Sequence, residues 1–173
     1  MRKNNFIPDK ILIVDAVIMS VLLFLDQFTK YLAVSHLKGR PPVVLIEHVL
    51  ELEYLENKGI AFSLLQNQKF LILFMGFLVL AFLIYGVFRL PREKKYCILH
   101  MILSALVAGA LGNIVDRMRF DFVVDFISFV LIQFPVFNLA DCYITVCTIL
   151  MFILFMFVYK EEDLTFLSKK KDK

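Results

Sequence analysis

Three stretches of this 173-residue chain run for most of a bilayer's thickness without a formal charge. Phe70 to Phe88 is 19 residues free of Asp, Glu, Lys and Arg, Tyr96 to Val115 is 20, and Cys142 to Tyr159 is 18. A helix rises about 1.5 Å per residue and the hydrocarbon core is about 30 Å thick, so about 20 apolar residues cross it. A further stretch, Ile11 to Val34, is interrupted by Asp15, Asp26 and Lys30. Its membrane body is Ile11 to Leu25, with Asp26 and Lys30 in the last turns. With 60% hydrophobic and 20% charged residues, the chain carries more apolar surface than a soluble domain of this size can bury. A free-standing soluble domain and a disordered chain are both excluded.

The sequence therefore predicts one membrane domain, 1–173, with helices at about 11–34, 70–88, 96–117 and 141–159. Connections 35–69 and 118–140 join them, and a tail follows at 160–173. Arg2, Lys3 and Lys10 before an apolar stretch resemble a secretory leader. Asp15 inside the stretch, and its continuation past a polar turn, favour an uncleaved first helix. Phe126 to Ala140 has 15 uncharged residues but holds Pro135 and Asn138. It is short for a span and reads as an interfacial or re-entrant segment. One side of the four-span arrangement (1–10, 89–95 and 160–173) carries 12 Lys/Arg in 31 residues, and the other carries the remaining 7 in about 70. That bias places both termini in the cytoplasm and turns the two long connections outward. Cys97, Cys142 and Cys147 are odd in number and lie in apolar runs. They read as packing residues, not as a disulfide framework or metal set.

The outer connections alternate. Leu50-Glu51-Leu52-Glu53-Tyr54 predicts a half-buried strand, preceded by turn residues Gly39, Pro41 and Pro42. Phe120, Phe122, Val124 and Phe126, with Asp121 and Asp125 between them, predict a second strand. Together they suggest a small sheet on the outer membrane surface with its aromatic side toward lipid.

Polar residues collect at that same face. Asp26, Gln27 and Lys30 end the first helix, and Asn57 and Gly59 lie in the first connection. Asn113, Asp116 and Arg117 end the third helix, Asp125 sits in Val-Val-Asp-Phe-Ile, and Asn138 and Asp141 open the fourth. Singly, several have plain structural readings. Asp26 and Lys30 have the spacing of an i,i+4 ion pair, and Asn138 that of an N-cap. Asp125 is harder to explain, because a carboxylate among Val123, Val124, Phe126 and Ile127 is costly to bury ionised.

No Ser/His/Asp set or glycine-rich phosphate loop is legible. His36 and His48 lie in the outer connection, and His100 reads as a satisfied structural histidine in the third helix. Paired carboxylates remain. Two Asp side chains in a poorly solvated site share a proton; one then acts as base on a water while the other protonates the attacked carbonyl. Asp125 and Asp141 are the candidate pair. Two rivals stand beside this reading. Asp116, Asp121, Asp125 and Asp141 as hard-cation ligands would make a metal-dependent enzyme acting on a lipid or pyrophosphate, although their spacing does not recur on one helical face. A proton-coupled transporter would place its ionisable groups near the midplane and show repeated halves. Only Asp15 and His100 lie that deep, and no internal repeat is seen.

Five segments in this order resemble the bacterial lipoprotein signal peptidases (signal peptidase II). They are Asp26-Gln-Phe-Thr-Lys30, Asn57-Lys-Gly-Ile-Ala-Phe62, Gly112-Asn-Ile-Val-Asp-Arg117, Val123-Val-Asp-Phe-Ile127 and Phe137-Asn-Leu-Ala-Asp141. The likeness runs from about Ile11 to Tyr159. It implies an all-α integral membrane fold, four transmembrane helices with a small β-sheet cradle on the extracytoplasmic face. It also implies an intramembrane aspartyl endopeptidase of the bacterial cytoplasmic membrane that cuts diacylglyceryl-modified prolipoproteins before the lipidated cysteine. Asp125 and Asp141 would be the catalytic dyad. Asp26, Lys30, Asn57, Gly59, Asn113, Asp116, Arg117 and Asn138 would support the dyad or bind substrate. Neither cofactor nor metal is implied. The partners would be the prolipoprotein and membrane lipids, with no nucleic acid, and the enzyme would be a monomer. Ala108-Gly109 stands where the family usually shows two glycines, and Asp15 matches no motif. Asp15 lies 11 residues before Asp26 and so faces the same side of the helix; it reads as a structural group bonded to a neighbouring helix.

Overall fold

Long apolar runs bounded by turn residues fold as the sequence predicts. The computed structural model describes residues 10–59, 68–132 and 134–166. In chain order its elements are α1 (Lys10–Leu37), β1 (Val43–Ile46), β2 (Leu50–Asn57), α2 (Lys69–Arg89), α3 (Cys97–Phe120), β3 (Val123–Phe129) and α4 (Leu139–Phe157). Short 3-10 turns lie at Lys94–Tyr96, Val130–Ile132 and Glu161–Leu164. All four helices are long and apolar enough to cross a membrane, and the strands form one antiparallel sheet in the order β1-β2-β3. Arg2, Lys3, the Ile60-Ala61-Phe62 part of one motif and the basic tail beyond Phe166 lie outside the described residues.

Helix α3 is the hub. In its most apolar stretch 67% of residues are buried within the protein, against 17% or less in the other three helices, so α1, α2 and α4 present most of their surface outward. The composition of α3 allows this. Ser104, Ala105, Ala108, Gly109 and Gly112 are all buried, and small residues let helix backbones approach closely in an apolar solvent. A methyl group added at Gly109 would sit 2.8 Å from the Ala140 carbonyl oxygen and 3.0 Å from Ile144 Cγ1, so α4 crosses α3 at near-backbone contact. Ala108 beside it is fully buried.

The helix ends follow their local chemistry. Leu90 adopts an extended conformation (ψ 132°) before Pro91, because the proline ring disfavours a helical residue ahead of it. Asp121 ends α3 in the left-handed region (φ 69°), a position that Asp tolerates better than most residues. That cap corrects one expectation. Phe120 to Phe126 is not one strand: Phe120 is the last residue of α3, and the strand starts only at Val123. The alternation was real in sequence, but its first members are a helix end and a bend, where Phe120 and Phe122 stack with ring centroids 5.9 Å apart.

The second correction concerns the face of the sheet. Val124 and Phe126 do not point to lipid; they are buried against Ala33 and Leu37 at the end of α1. The sheet sits on the helix ends, so its apolar side is covered by the bundle itself. Among the described residues of Phe126 to Ala140 no α-helix forms before Leu139, in keeping with its reading as something other than a fifth span. The strand gives way to a 3-10 turn and an extended segment, and Phe137 pairs with Ile127. At the opposite end of the bundle Tyr96, Tyr159 and Phe166 pack their rings together, and the Tyr96 hydroxyl donates to the Asp163 carbonyl at 2.8 Å.

Candidate active site

Asp125 and Asp141 reach one cavity from different elements. Asp125 lies mid-strand in β3, opposite Leu55 of β2. Asn57, two residues on from Leu55, shares its face of the sheet and donates to Asp125 Oδ2 at 2.8 Å. Asp141 sits in the first turn of α4, where Asn138 is the N-cap. The cap is reciprocal: the Asp141 N–H donates to Asn138 Oδ1 (3.1 Å) and the Asn138 N–H to Asp141 Oδ2 (3.2 Å). The structural reading of Asn138 as a cap is therefore correct, and a further role is added to it. Its amide Nδ2 also donates to Asp125 Oδ1 at 2.6 Å and to Asn113 Oδ1 at 3.2 Å. Asn113, from α3, donates in turn to Asp141 Oδ1 at 2.8 Å. Two asparagines thus bracket the two carboxylates.

A charged layer lies behind this pair. Lys30 is 3% exposed and places its ammonium 3.0 Å from Asp26 Oδ2, 3.1 Å from Asp116 Oδ2 and 3.0 Å from Asn113 Oδ1. Asp26 and Lys30 do form the i,i+4 ion pair that their spacing suggests, but the pair is buried rather than on the surface. Each carboxylate also accepts a backbone N–H: Asp26 Oδ1 from Ala140 at 3.0 Å, and Asp116 Oδ2 from Val124 at 3.2 Å. Ala140 and Val124 are the residues immediately before Asp141 and Asp125. One lysine therefore ties together the two carboxylates that hold the backbone on which the candidate pair stands. Arg117 donates from Nη2 to the Gly59 carbonyl at 2.8 Å, and the Gly59 N–H donates to Asn57 Oδ1 at 3.0 Å. That anchors β2's end, and with it Asn57, to α3.

Gln27 was named among the gathered polar residues but given no role, and Gly112 was not named there; both belong to the site. Gln27 Nε2 donates to Asp116 Oδ1 at 2.9 Å and contacts Asp26 Oδ2 and the Gly112 carbonyl. A methyl at Gly112 would collide with Asp26 Oδ2. The signal for both was present: each lies inside a quoted motif, and glycine in a helix often marks a close approach. Asp121 does not join the others. It pairs with Lys69 at the C-terminal end of α3, 69% exposed, so the four carboxylates of the cation reading are not brought together.

The cavity has a volume of about 1040 Å³. Its polar end is Asp125, Asp141, Asn57, Asn113 and Arg117, and its walls include Leu55, Phe129, Ile132, Phe134 and Val146. Burial, and then the nearby charge of Asp141, push the Asp125 carboxyl up to about 6, against the amides of Asn57 and Asn138 and the charge of Lys30, which favour ionisation. An arrangement of this kind can offer both an acid and a base to a molecule lodged between the acidic groups and an apolar wall.

Deeper in the bundle Asp15 is bonded to the neighbouring helix, as its sequence position suggested. Its Oδ2 lies 2.8 Å from His100 Nδ1, and its Oδ1 accepts from Ser104 Oγ at 3.1 Å. His100 is only half satisfied: its buried Nε2 has no partner among the described residues.

Comparison with known proteins fits this geometry. A family profile described as signal peptidase (SPase) II matches residues 18–157. The chain belongs to the signal peptidase II family. A lipoprotein signal peptidase from Caldanaerobacter subterraneus subsp. tengcongensis is 41% identical over 142 residues, covering 82% of this chain and 94% of that protein. One from Streptococcus pyogenes serotype M1 is 34% identical over 163 residues, 94% of this chain and 98% of that protein. A bacterial membrane enzyme solved by the in meso method at 2.3 Å superposes with a TM-score of 0.76 at 26% identity, covering 99% of this chain and all of the other. As a signal peptidase II family member the protein is a peptidase of the aspartic class, and with four candidate spans it is a multi-pass bacterial membrane protein.

Proposed function

We propose that this enzyme removes the signal peptide from diacylglyceryl-modified prolipoproteins, cutting before the lipidated cysteine, with Asp125 and Asp141 activating the water. Family membership supports signal-peptide removal from prolipoproteins. The observation that carries the dyad is the pair of asparagine bridges, Asn138 to Asp125 at 2.6 Å and Asn113 to Asp141 at 2.8 Å, in one cavity. The ionised carboxylate takes a proton from water as the oxygen attacks the scissile carbonyl, and the protonated partner donates to the carbonyl oxygen. The tetrahedral intermediate then collapses as the C–N bond breaks. The leaving nitrogen takes up the proton that the base drew from water, while a hydroxyl of the intermediate returns its proton to the other carboxylate, leaving a new carboxylic acid, a free amine on the cysteine and one proton on the pair. Arg117 and Asn57 border the polar end and hold substrate backbone or the dyad's geometry. The apolar wall of Leu55, Phe129, Ile132, Phe134 and Val146 accepts acyl chains.

In this reading both termini are cytoplasmic, the cavity opens near the outer leaflet, and the monomer in its lipid surroundings is the working unit. The test is incubation of the purified protein with a diacylglyceryl-modified precursor and an unmodified control, with products read by mass spectrometry. Cleavage of the modified precursor alone, immediately before its cysteine, is the expected result. Equal cutting of both, or of neither, contradicts it.

A further inference from the structure

Helices α1 and α3 meet through polar side chains at two levels. Gln27 reaches Gly112 and Asp116, and Lys30 reaches Asn113 and Asp116. Twelve residues earlier on α1, about 18 Å at 1.5 Å per residue, Asp15 reaches His100 and Ser104. The sequence separation is 85 and 89 residues for Asp15, 85 and 89 for Gln27, and 83 for Lys30 to Asn113. A separation that stays constant over this length means that the two helices run parallel in a single register.

Apolar surfaces alone do not fix that register well. In lipid no hydrophobic force drives helices together, and interhelical hydrogen bonds join packing in holding them. The polar contacts discriminate. Moving α1 one turn toward the α3 C-terminus would set Lys30 opposite Arg117 and take Asp15 from His100. Moving it one turn the other way would set Lys30 opposite Gly109 and take Asp15 from Ser104. Asp15 is 2% exposed, His100 1% and Ser104 0%, so a lost partner leaves a polar group unpaired where no water reaches it, which is costly.

We infer that Asp15, which belongs to no motif of the family resemblance, is a positioning residue for the reaction. Its bonds to His100 and Ser104 set the register of α1 on α3, and so set Lys30 and Asp26 beneath the backbone that carries Asp141 and Asp125. The inference rests on the reading of those two aspartates as the cutting pair.

The test compares wild type, D15N, D15L and S104A, purified and shown to be folded, for cleavage of the diacylglyceryl-modified precursor. Asparagine keeps both contacts: its carbonyl accepts from Ser104, and its amide donates to His100 Nδ1 once the imidazole proton moves to Nε2. D15N is expected within about threefold of wild-type kcat. D15L is expected to lose about 10- to 100-fold in kcat at unchanged KM, the scale of a small misplacement of catalytic groups. S104A falls between, and D15L combined with S104A loses no more than D15L alone, because both remove the same contact. A folded D15L with wild-type turnover overturns the inference. So does a D15N as impaired as D15L, which would make charge the operative property, or a loss confined to KM. If D15L does not fold, S104A against D15N decides: S104A must lose kcat and D15N must not. Failure of the wild type itself to cut the modified precursor would contradict the functional reading before any variant is compared.

Discussion

Asn138 donates to Asp125 at 2.6 Å while its own side-chain oxygen caps α4, whose first turn holds Asp141. One residue thus performs two separable tasks. Serine is a good N-cap but has no amide to offer. N138S is expected to melt within about 1 kcal/mol of wild type while losing about tenfold or more in kcat. Thermal unfolding in detergent and a cleavage assay, run on the same sample, check this. Parallel losses in both would show that the asparagine acts only as a cap.

The Asp125 carboxyl is held up at about 6, mainly by burial and then by Asp141. A carboxyl with a raised value keeps its proton in the fold at pH where the unfolded chain has lost it. Its contribution to stability is therefore complete below about 3.8 and is lost as pH rises to about 6. Catalysis follows the same sign. A pair that needs one proton between two groups loses it on the alkaline side, so kcat/KM is expected to fall above about pH 6 with the loss of one proton. A rate flat from pH 5 to 9 would contradict a shared-proton pair.

Gly112 allows Asp26 to lie against α3, and Asp26 is fixed by Lys30, Gln27 and the Ala140 N–H. The carboxylate cannot retreat from an added methyl without breaking one of these. G112A is expected to lower stability by about 1–3 kcal/mol, the usual range for overpacking, and to reduce turnover. Unfolding midpoints in denaturant check the first, and wild-type stability would show that α1 can shift.

Much of this was legible in the sequence. Span lengths followed from uncharged runs, and the strand at Leu50–Tyr54 followed from alternation. The polar residues named as a group do converge, since Lys30, Asp26, Asn113, Asp116, Asn138, Asp125 and Asp141 form one bonded network. What escaped was tertiary. Phe120 and Phe122 alternate as a strand would, but the left-handed Asp121 between them ends a helix. Val124 and Phe126 looked lipid-facing because nothing in their spacing says that the end of α1 lies beneath them. Gln27 resembled a helix-end polar residue until α3 was placed beside it.

The Lys/Arg bias makes a topological prediction that the contacts do not. A reporter fused after Lys173 is expected on the cytoplasmic side. Protease protection of that fusion in spheroplasts checks it, and an external reporter would place the cavity on the wrong face for a secreted precursor.

The most direct measurement is cleavage of a diacylglyceryl-modified precursor by D125N and by D141N, each confirmed as folded. Asparagine keeps the shape of aspartate but can neither accept the water's proton nor share one. Each variant is expected to lose at least about 100-fold in turnover, the low end of what proton transfer by a positioned side chain contributes. Turnover near wild type in both variants would contradict the account.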